Sequence, residues 1–570
     1  MFDILIINAK IVDGTGKNSY FADVAVLNEK IEAIGELKKF EAKRVIDAKG
    51  CILTPGFIDP HSHAEQTIML WPENEGNILQ GVTTFVGGNC GGSMAPVSSI
   101  SAVMIGYSEL FPELKHNYYS EMSGPYVSSD ELAKRAKEKF NIDMSFRTMY
   151  EFCEKVENQK ISSNFYPLVP HGNIRSVAMN DDCNRVSTET ETARMKTILK
   201  DELENGMRGM STGLDYPPGA FATHEELQEL AEVLKEYNSI YASHVRARKL
   251  FTTGEGGFLI EEGVKEALDI SRNGVRVNIS HLTSIDSIEK TKEVFENAEK
   301  EGLDFSFDVI SNTTGGGYTM VELITIFRPW YMTAGSIEQF SRNLEDKDYV
   351  LSMKKDMANS KWFYANNTAL PGIENAILIS VCKEKKYENK TIEQLMKEYN
   401  LNYIDTLVMV ITADPLTKMK YGNPPNEKEY EELKKFFELP WAIPCSDGMS
   451  VNLDTVLSKE IPMVKYPHQN NYCYLIKYLK QFAPDRFEEA IRKVTGYVAE
   501  RFMIKDRGVI REGAYADLVI INLDELETNE SPVDTRRAPL GVKFVLVNGI
   551  ITAENGKHTG AKNGKILRNK

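Results

Sequence analysis

Apolar and polar positions divide the chain into two β-rich ends and an alternating middle. Residues 2–50 contain short apolar runs separated by glycine, aspartate and asparagine, the pattern of strands joined by tight turns. The pattern returns near the C-terminus, where the runs 516–521 and 543–547 are followed by Asn548-Gly549, a strong hairpin signal. We therefore expect both ends of the chain to meet in one small β domain.

The middle of the chain alternates apolar runs with amphipathic stretches of helical periodicity, which favours parallel βαβ units. Eight runs are each followed by a polar or glycine-rich position, and eight such units predict a (β/α)8 barrel with its site at the strand ends. The predicted strands are residues 52–57, 83–86, 165–169, 209–211, 240–242, 275–279, 305–309 and 442–445. Helices are predicted, for example, at 191–205, 224–237, 263–272 and 288–301.

These patterns divide the chain into three segments. Residues 1–54 form the first part of the β domain, 55–505 the barrel, and 506–570 the second part of the β domain with a tail. The interval at about 315–440 is too long for one crossover, so we expect a loop-plus-helix insertion there that covers the site. Residues 562–570 are expected to form a loose basic tail.

Composition excludes several classes of protein. The 570 residues carry a formal net charge of −15, whereas nucleic-acid-binding proteins usually present a basic patch. Asp3 stands where a secretory signal has basic residues, and no window approaches the ~18 uninterrupted apolar residues of a spanning helix. Seven scattered cysteines without a CxxC pair indicate reduced thiols. We expect a cytoplasmic protein without nucleic-acid or membrane partners, of undetermined oligomeric state.

Two histidines one residue apart follow the first predicted barrel strand, in the segment PGFIDPHSH at 55–63. If this segment ends a buried strand, His61 and His63 point the same way, because strand side chains repeat every two residues. Two imidazoles so placed can hold one cation. A bare HxH is also a common pair of polar loop residues, so the rest of the chain has to decide between the two interpretations.

Four more residues of metal-binding type follow later predicted strands: Cys90 in a glycine-rich loop, His244, His281 and Asp447. Taken singly, each has a commoner explanation as a small buried hydrophobe, a core histidine or a turn residue. Together with the HxH pair they place imidazole, thiolate and carboxylate where a barrel gathers its site, and these are the donors of a zinc-type centre. His171, after the third run, could line the pocket without binding metal.

At these motifs the chain resembles the D-aminoacylase branch of the amidohydrolase superfamily, the N-acyl-D-amino-acid deacylases. HxH and ADLV are shared across the superfamily, whereas GNCGGS and STGLDYPPG point to this branch. The matching segments are PGFIDPHSH (55–63), GNCGGS (88–93), STGLDYPPGAFA (211–222), YASHVR (241–246), NISHL (278–282), SDG (446–448), VTGYVAERF (494–502), DRG (506–508) and GAYADLV (513–519).

The resemblance implies a metal-dependent barrel with a β-sandwich built from both chain ends. It also implies two metal positions. The tighter Zn²⁺ would be held by Cys90, His244 and His281. A second, weaker position would be surrounded by His61, His63, Asp447 and the shared thiolate of Cys90. Many amidohydrolases bridge two metals with a carboxylated lysine from the fourth strand; residues 207–213 contain no lysine, and Cys90 as the central ligand explains the absence.

The activity implied is hydrolysis of the amide bond of an N-acyl-D-amino acid, or a related small N-acyl compound, to a carboxylate and a free amine. Metal-activated water would attack, with Asp447 as general base and then general acid. One alternative is a cyclic-amide hydrolase or deaminase on the same barrel, although the former usually has the missing lysine. Another is a catalytically inactive scaffold, which predicts lost ligands, whereas all six are present.

Departures from the family concern the substrate. A lysine that the family usually has soon after the second single histidine is replaced by Thr283-Ser284. After the seventh strand the acid Asp308 is kept, but the aromatic residues of the family are lost. A different anion clamp is therefore needed. The candidate substrate contacts are Arg246, with Arg248 and Lys249 as alternatives, and Tyr216 and His171.

Overall fold

The structure is a computed structural model of the 570-residue chain. The residues that it describes are 1–102, 119–120, 124–183, 185–214, 218–246, 260–283, 288–312, 314–320, 327, 330, 333–334, 337–359, 377–422, 427–453, 470–529 and 536–569.

The strands alternate with helices through the middle of the chain and cluster at both ends. In chain order they are β1 Phe2–Ile11, β2 Tyr20–Leu27, β3 Lys30–Gly35, β4 Ala42–Asp47, β5 Ile52–Pro55, β6 Phe57–Asp59, β7 Val82–Gly87, β8 Ile100–Ala102, β9 Tyr119–Ser120, β10 Gly124–Ser128, β11 Asn164–Pro167, β12 Val169–Pro170, β13 Gly209–Gly213, β14 Ile240–His244, β15 Arg276–Leu282, β16 Phe305–Ile310, β17 Thr314–Thr319, β18 Ile377–Val381, β19 Lys418–Gly422, β20 Ala442–Cys445, β21 Leu518–Ile521, β22 Val542–Val547, β23 Ile550–Glu554 and β24 Lys557–His558.

The α-helices of the described residues are α1 Glu75–Leu79, α2 Ser129–Phe140, α3 Met149–Gln159, α4 His171–Ala178, α5 Glu189–Glu204, α6 His224–Glu236, α7 Ile260–Arg272, α8 Ile288–Lys300, α9 Ile337–Asn343, α10 Lys347–Asn359, α11 Ile392–Tyr399, α12 Tyr403–Ala413, α13 Glu427–Glu438, α14 Asn470–Lys477, α15 Phe487–Lys493 and α16 Gly496–Arg501. Within this part of the chain, none of the helices combines the length and the apolar character needed to cross a bilayer.

Eight strand positions form the barrel, and β11 and β12 share one of them. The strands pair in parallel in the order β6, β7, β11–β12, β13, β14, β15, β16 and β20. The last strand closes on the first, because Ser62 pairs in parallel with Gly448 and the Asp447 N–H donates to the carbonyl of His61 at 2.9 Å. The structure therefore confirms the predicted (β/α)8 barrel, and all of its strand ends face one mouth.

The predicted first barrel strand, residues 52–57, is wrong in its position. β5 pairs with β1 and β21 in the terminal β domain, and the barrel strand is the short β6. The chain passes between the two sheets at Gly56, where a Cβ atom would lie 2.2 Å from the side-chain oxygen of Thr83. One continuous apolar run therefore serves two sheets, which the pattern of the sequence does not reveal.

The terminal β domain is built from both ends of the chain, as predicted. Its nine strands follow the order β24-β23-β22-β21-β5-β1-β2-β3, with β4 paired to β1. The link between the two ends is the antiparallel pair of β5 and β21, in which Leu53 faces Ile520. Residues from both ends, including Ile6, Val24, Leu518 and Leu546, share one apolar core. The sandwich-plus-barrel fold is thus present.

The capping residue of α5 explains why this helix begins earlier than predicted. Thr188 caps α5: its hydroxyl accepts the N–H of Glu191, and the Glu191 carboxylate returns to Thr188. This reciprocal capping box satisfies two N–H groups and starts the helix at Glu189, two residues before the predicted start. The predicted helices at 224–237, 263–272 and 288–301 correspond to α6, α7 and α8.

The insertion before β20 has an apolar core of its own, formed by residues between Met320 and Met419. Helices α9 to α12 lie in this segment. It differs from the predicted loop-plus-helix segment, because it also contains the antiparallel sheet β17-β19-β18. Glycine and lysine dominate β17 and β19, which hides them from a search for apolar strands.

The prediction of a loose C-terminal tail is wrong. Ile566 pairs in parallel with Phe165 of β11 and is 7% exposed, and the Leu567 N–H donates to the carbonyl of Phe165 at 2.7 Å. Arg568 pairs with Glu157 of α3 at 2.6 Å. Two apolar residues inside a basic segment therefore anchor the tail across the barrel.

Candidate metal centre

Six residues from five strand ends meet at the barrel mouth. The loop after β6 carries His61 and His63, and the loop after β7 carries Cys90. His244 ends β14, His281 lies near the end of β15, and Asp447 follows β20. One ligand atom from each of four of them, His61, Cys90, His281 and Asp447, lies within 4.8 Å of the other three. The structure brings together all six predicted ligands.

Cys90 occupies the centre of the cluster. Its Sγ lies 3.2 Å from Nε2 of His281, 3.3 Å from Nε2 of His61 and 3.8 Å from Nδ1 of His244. The residue has φ of +55°, an unusual conformation for a side chain that carries a Cβ. The tight loop thus points the sulfur at three imidazoles that come from three other strand ends.

His244 and His281 form one wall of the cluster. Nδ1 of His244 lies 3.0 Å from Nε2 of His281. The pairing of β15 with β16 is irregular between Ile279 and Leu282, and His281 has φ of +37°. A bulge of this kind re-aims a side chain next to a site, and here it directs the His281 ring into the barrel mouth.

His61, His63 and Asp447 form the opposite wall. Oδ1 of Asp447 lies 3.4 Å from Nε2 of His61 and 3.3 Å from Nε2 of His63. The two histidines are almost completely buried, whereas the Asp447 side chain is 20% exposed. The carboxylate is therefore the member of this wall that solvent reaches.

Two buried acids support the cluster, and the sequence did not indicate their part in the site. Asp308 accepts the N–H of His281 at 2.5 Å, and its Oδ1 lies 3.5 Å from Nδ1 of His61. Asp59 accepts the N–H of His61 at 3.3 Å and the N–H of Ser446 at 3.2 Å, so it ties the first strand end to the last. The signal available was an acid within or at the end of an apolar strand.

The charges within the cluster favour the ionised forms of Cys90 and Asp447. Burial alone would raise the pKa of the Cys90 thiol, but the adjacent imidazoles of His281 and His61 hold that pKa well below its usual range. Burial likewise opposes ionisation of Asp447, whereas His281, His61 and His63 lower the pKa of its carboxyl. A thiolate and a carboxylate among imidazoles are the donor set of a zinc-type site.

Two further atoms support a metal in this cluster. Among the described residues, neither Nε2 of His63 nor Oδ1 of Asp447 has a hydrogen-bond partner, although the two atoms lie only 3.3 Å apart. Buried polar atoms are rarely left without a partner, and an imidazole nitrogen that converges with a carboxylate oxygen suits a shared cation. The residues present therefore fit a metal ion.

Of the candidate substrate contacts, the structure describes only Arg246 and His171. Tyr216, Arg248 and Lys249 lie outside the described residues. Arg246 donates to the carbonyls of Ala220 and Ala222 at 3.0 and 2.9 Å and to Glu266 at 3.1 Å, so its guanidinium already has partners within the protein.

His171 is the first residue of α4 and is fully buried. Its Nε2 lies 2.7 Å from Oε1 of Glu226, and within the described part of the chain its Nδ1 has no hydrogen-bond partner. The Gly172 N–H donates to the carbonyl of Gly91 at 2.9 Å, which places His171 beside the Cys90 loop. Its substrate contact remains a prediction.

Comparisons with known proteins agree with the geometry. A family model described as "Amidohydrolase family" matches residues 44–121. The chain is 25% identical to an N-acyl-D-aspartate deacylase of Alcaligenes xylosoxydans xylosoxydans, over 99% of this chain and 95% of that protein. The resemblance predicted from the motifs is thereby confirmed over nearly the whole chain.

Two solved structures share the fold. A D-aminoacylase crystal structure matches with a TM-score of 0.70 at 23% identity, covering 100% of both chains. The N-acyl-D-glutamate deacylase of Bordetella bronchiseptica, solved with zinc and a phosphonate inhibitor that mimics the tetrahedral intermediate of its reaction, matches with a TM-score of 0.70 at 23% identity over 100% of both chains.

Proposed function

Because the chain resembles the D-aminoacylase branch of the amidohydrolase superfamily in its motifs, in its whole length and in its fold, we propose that it is a zinc-dependent hydrolase of N-acyl-D-amino acids or related small N-acyl compounds. One observation carries the proposal: His61, Cys90, His281 and Asp447 converge within 4.8 Å at the barrel mouth. The cut bond is the amide, and the products are a carboxylate and a free amine.

The ligands are proposed in two groups. Cys90, His244 and His281 would hold the tight zinc, and His61, His63 and Asp447, together with Cys90, would surround a second position. Bound zinc supplies a Lewis acid that acidifies water and polarises an amide carbonyl. Two distances support this division: His244 lies 3.0 Å from His281, and Asp447 lies 3.3 Å from His63.

Asp447 is the proposed general base and acid. Its carboxyl is ionised because neighbouring imidazoles lower its pKa, and it is the partly exposed member of its wall. The carboxylate accepts the proton of the attacking water as the water oxygen bonds to the carbonyl carbon. It then returns the proton to the amide nitrogen, so that the C–N bond breaks and a neutral amine leaves.

Asp308 and Asp59 orient this machinery in our proposal. Asp308 faces Nδ1 of His61, which leaves Nε2 of that ring toward Cys90 and Asp447. Fixing one ring nitrogen selects which nitrogen is available as a ligand, and such partners commonly raise the basicity of a histidine ligand. Asp59 keeps the Asp447 loop against the His61 loop.

The substrate side of the site is proposed from the sequence. Arg246, Tyr216 and His171 are the candidate contacts, and His171 is best supported, because it adjoins the Cys90 loop and has an unpartnered Nδ1 among the described residues. A neutral imidazole whose Nε2–H donates a hydrogen bond to Glu226 has Nδ1 as an acceptor, and this acceptor suits the N–H of a substrate amide.

We also propose the bounds of the domains and the location of the protein in the cell. The domain bounds are 1–54, 55–505 with the insertion at about 315–440, and 506–570; the separate apolar core of the insertion supports this division. A cytoplasmic location is supported by the seven cysteines, none of which forms a disulfide in the described chain.

The test is a product analysis of the zinc-loaded enzyme. N-acyl-D-amino acids, their L-enantiomers, hydantoins and aminated heterocycles are offered in parallel, and release of free amine, ring opening and ammonia are measured separately. Amine release from acyl-D-amino acids supports the proposal. Activity confined to hydantoins or to heterocycle deamination supports the cyclic-amide or deaminase alternative, and zinc binding without any hydrolysis indicates a scaffold.

A further inference from the structure

The loop that carries Cys90 is held by a side chain from the fourth barrel strand. The hydroxyl of Ser211 in β13 accepts the N–H of Gly91 at 3.0 Å and donates to the carbonyl of Gly88 at 2.5 Å. These two backbone groups flank Cys90 in the chain, and Ser211 is fully buried. One hydroxyl therefore closes the loop around the residue whose sulfur lies at the centre of the cluster.

The loop has a conformation that needs such support. Gly88, Cys90 and Gly91 have φ of +82°, +55° and +67°, all in the left-handed region. Cys90 carries a Cβ, so its conformation costs free energy and persists only where the surroundings hold it. Without the two hydrogen bonds the loop could relax, and the sulfur would leave its position 3.2 Å from His281.

The glycines of the loop lie against the backbone of two barrel strands. A Cβ on Gly91 would lie 2.5 Å from the N atom of Gly213, and a Cβ on Gly88 would lie 2.2 Å from the carbonyl oxygen of Leu168. The loop is thus pressed against the third and fourth strands of the barrel. In many amidohydrolases the fourth strand supplies a metal-bridging lysine, whereas here it supplies Ser211.

We propose that Ser211 is a positioning residue for the metal centre, which fixes the Cys90 loop so that the thiolate faces His281 and His61. This inference rests on the proposed function, because it assumes that Cys90 is a metal ligand. The fourth barrel strand then supports a ligand that follows the second barrel strand. A purely structural role, in which the hydroxyl only satisfies two backbone groups, predicts a loss of stability with an unchanged metal site.

The experiment compares Ser211→Ala and Ser211→Thr with Thr212→Val. Thr212 is the matched control, because its buried hydroxyl lies 2.9 Å from Tyr241 and Ser243 on the other side of the same strand. Zinc affinity is measured by competition with a chelator, and the thiolate-to-metal charge-transfer absorption is measured on the cobalt-substituted proteins. Neither readout depends on turnover.

Ser211→Ala is expected to weaken zinc binding by about 10- to 100-fold and to reduce or shift the charge-transfer band. Ser211→Thr keeps the hydroxyl and is expected to stay within about threefold of the parent, as is Thr212→Val. If Ser211→Ala does not fold, Ser211→Val, which has the shape of the threonine variant without its hydroxyl, carries the same expectation. Zinc affinity within about twofold of the parent and an unchanged band in the alanine or valine variant overturn the inference.

The two proposals fail in distinguishable ways. If the protein hydrolyses no amide while Ser211→Ala loses zinc and the band, the proposed function is wrong and the positioning role stands. If acyl-D-amino acids are hydrolysed while the variant keeps both, the positioning role is wrong and the proposed function stands.

Discussion

Two clusters of buried histidine and carboxylate lie at neighbouring strand ends of this barrel. They differ in the partners that their carboxylates have. In the metal-binding cluster, Asp447 and His63 approach to 3.3 Å, yet the facing atoms have no hydrogen-bond partner among the described residues. In the second cluster, Glu226 accepts hydrogen bonds from His171 at 2.7 Å and from Ser187 at 2.6 Å, and it pairs with Arg175.

The charges of the two clusters explain the difference. Burial would raise the pKa of Glu226, but His171 and Arg175 lower it to about 2, so the second cluster holds one carboxylate and one guanidinium in balance. Burial lowers the pKa of His171, which keeps that imidazole neutral. The first cluster contains two anionic groups, Cys90 and Asp447, which contact the imidazoles of His61, His63 and His281. Similar residue types therefore form an ion-paired network in one cluster and a convergent set of metal-type donors in the other.

The largest expected effect follows from removing the central thiolate. Cys90→Ala leaves the four histidines and Asp447 without the central thiolate, so we expect the tight zinc to be lost and hydrolysis of the best acyl-D-amino acid to fall on the order of 10³-fold or more. Metal content and kcat/KM measure the effect. Cys153→Ala, at a buried cysteine of α3 that is not one of the six candidate ligands, is the control and should keep its zinc. Full zinc content in the Cys90 variant would contradict the account.

Asp447→Asn should separate binding from proton transfer. The amide cannot accept the proton of water, so kcat is expected to fall by about 10²- to 10⁴-fold. The tight zinc should remain, because Cys90, His244 and His281 are unchanged. Rates and metal content are measured on the same preparation. Activity within about tenfold of the parent enzyme would show that another group is the base.

Glu226→Gln tests the second cluster through stability. The change leaves Arg175 buried without its carboxylate, and breaking a buried pair in this way costs about 3–5 kcal/mol of unfolding free energy. Denaturant unfolding measures this loss, and zinc content should be unchanged. The control is Glu229→Gln on the same helix, where an exposed pair with Lys196 is worth about 0–1 kcal/mol.

The lowered pKa of Glu226 also predicts how the stability of the folded protein changes with pH. The pKa of Glu226 lies below its ordinary value of 4.5 in the folded protein, at about 2. Its contribution is therefore present above pH 4.5 and is lost as the pH falls through that window toward 2. Glu226→Gln should flatten this part of the stability curve of the metal-free protein. A variant with the same acid sensitivity as the parent would show that other groups govern it.

The smallest effect is expected at an orienting residue of the metal centre. Asp308→Asn keeps the shape of the side chain but removes the negative charge 3.5 Å from Nδ1 of His61. We expect metal affinity at the position that includes His61 to fall by about 10- to 100-fold. Asp304→Asn is the control, because Asp304 precedes the same strand at its far end and pairs with Arg276 and Arg501. Equal metal binding by both variants would remove Asp308 from the account.

Sequence patterns predicted the barrel and all six candidate ligands for one physical reason. Each ligand follows an apolar run, and the ends of parallel strands meet at one mouth, so His61 and Asp447 could be brought together although 386 positions separate them in the chain. The same reasoning could not find the role of Asp308, which depends on a bulge in the neighbouring strand at His281.

Other features depended on packing that apolar patterns do not encode. Gly56 divides one apolar run between two sheets because its neighbour is Thr83. Ile566 is a single buried residue in a basic segment, and its partner Phe165 is about 400 positions away in the chain. Arg246 was chosen as an anion clamp for its charge, but its partners Ala220 and Glu266 are visible only in the folded chain.

The central claim is that the Cys90 cluster holds zinc for hydrolysis of acyl-D-amino acids. The most direct measurement is the zinc content of the purified protein together with its hydrolysis of a mixed N-acyl-D- and N-acyl-L-amino-acid library, before and after chelation. The account predicts about one tightly held zinc, amine release from D-substrates, and loss of that activity on chelation with recovery on adding zinc. Metal-independent hydrolysis, or activity confined to L-substrates, would contradict it.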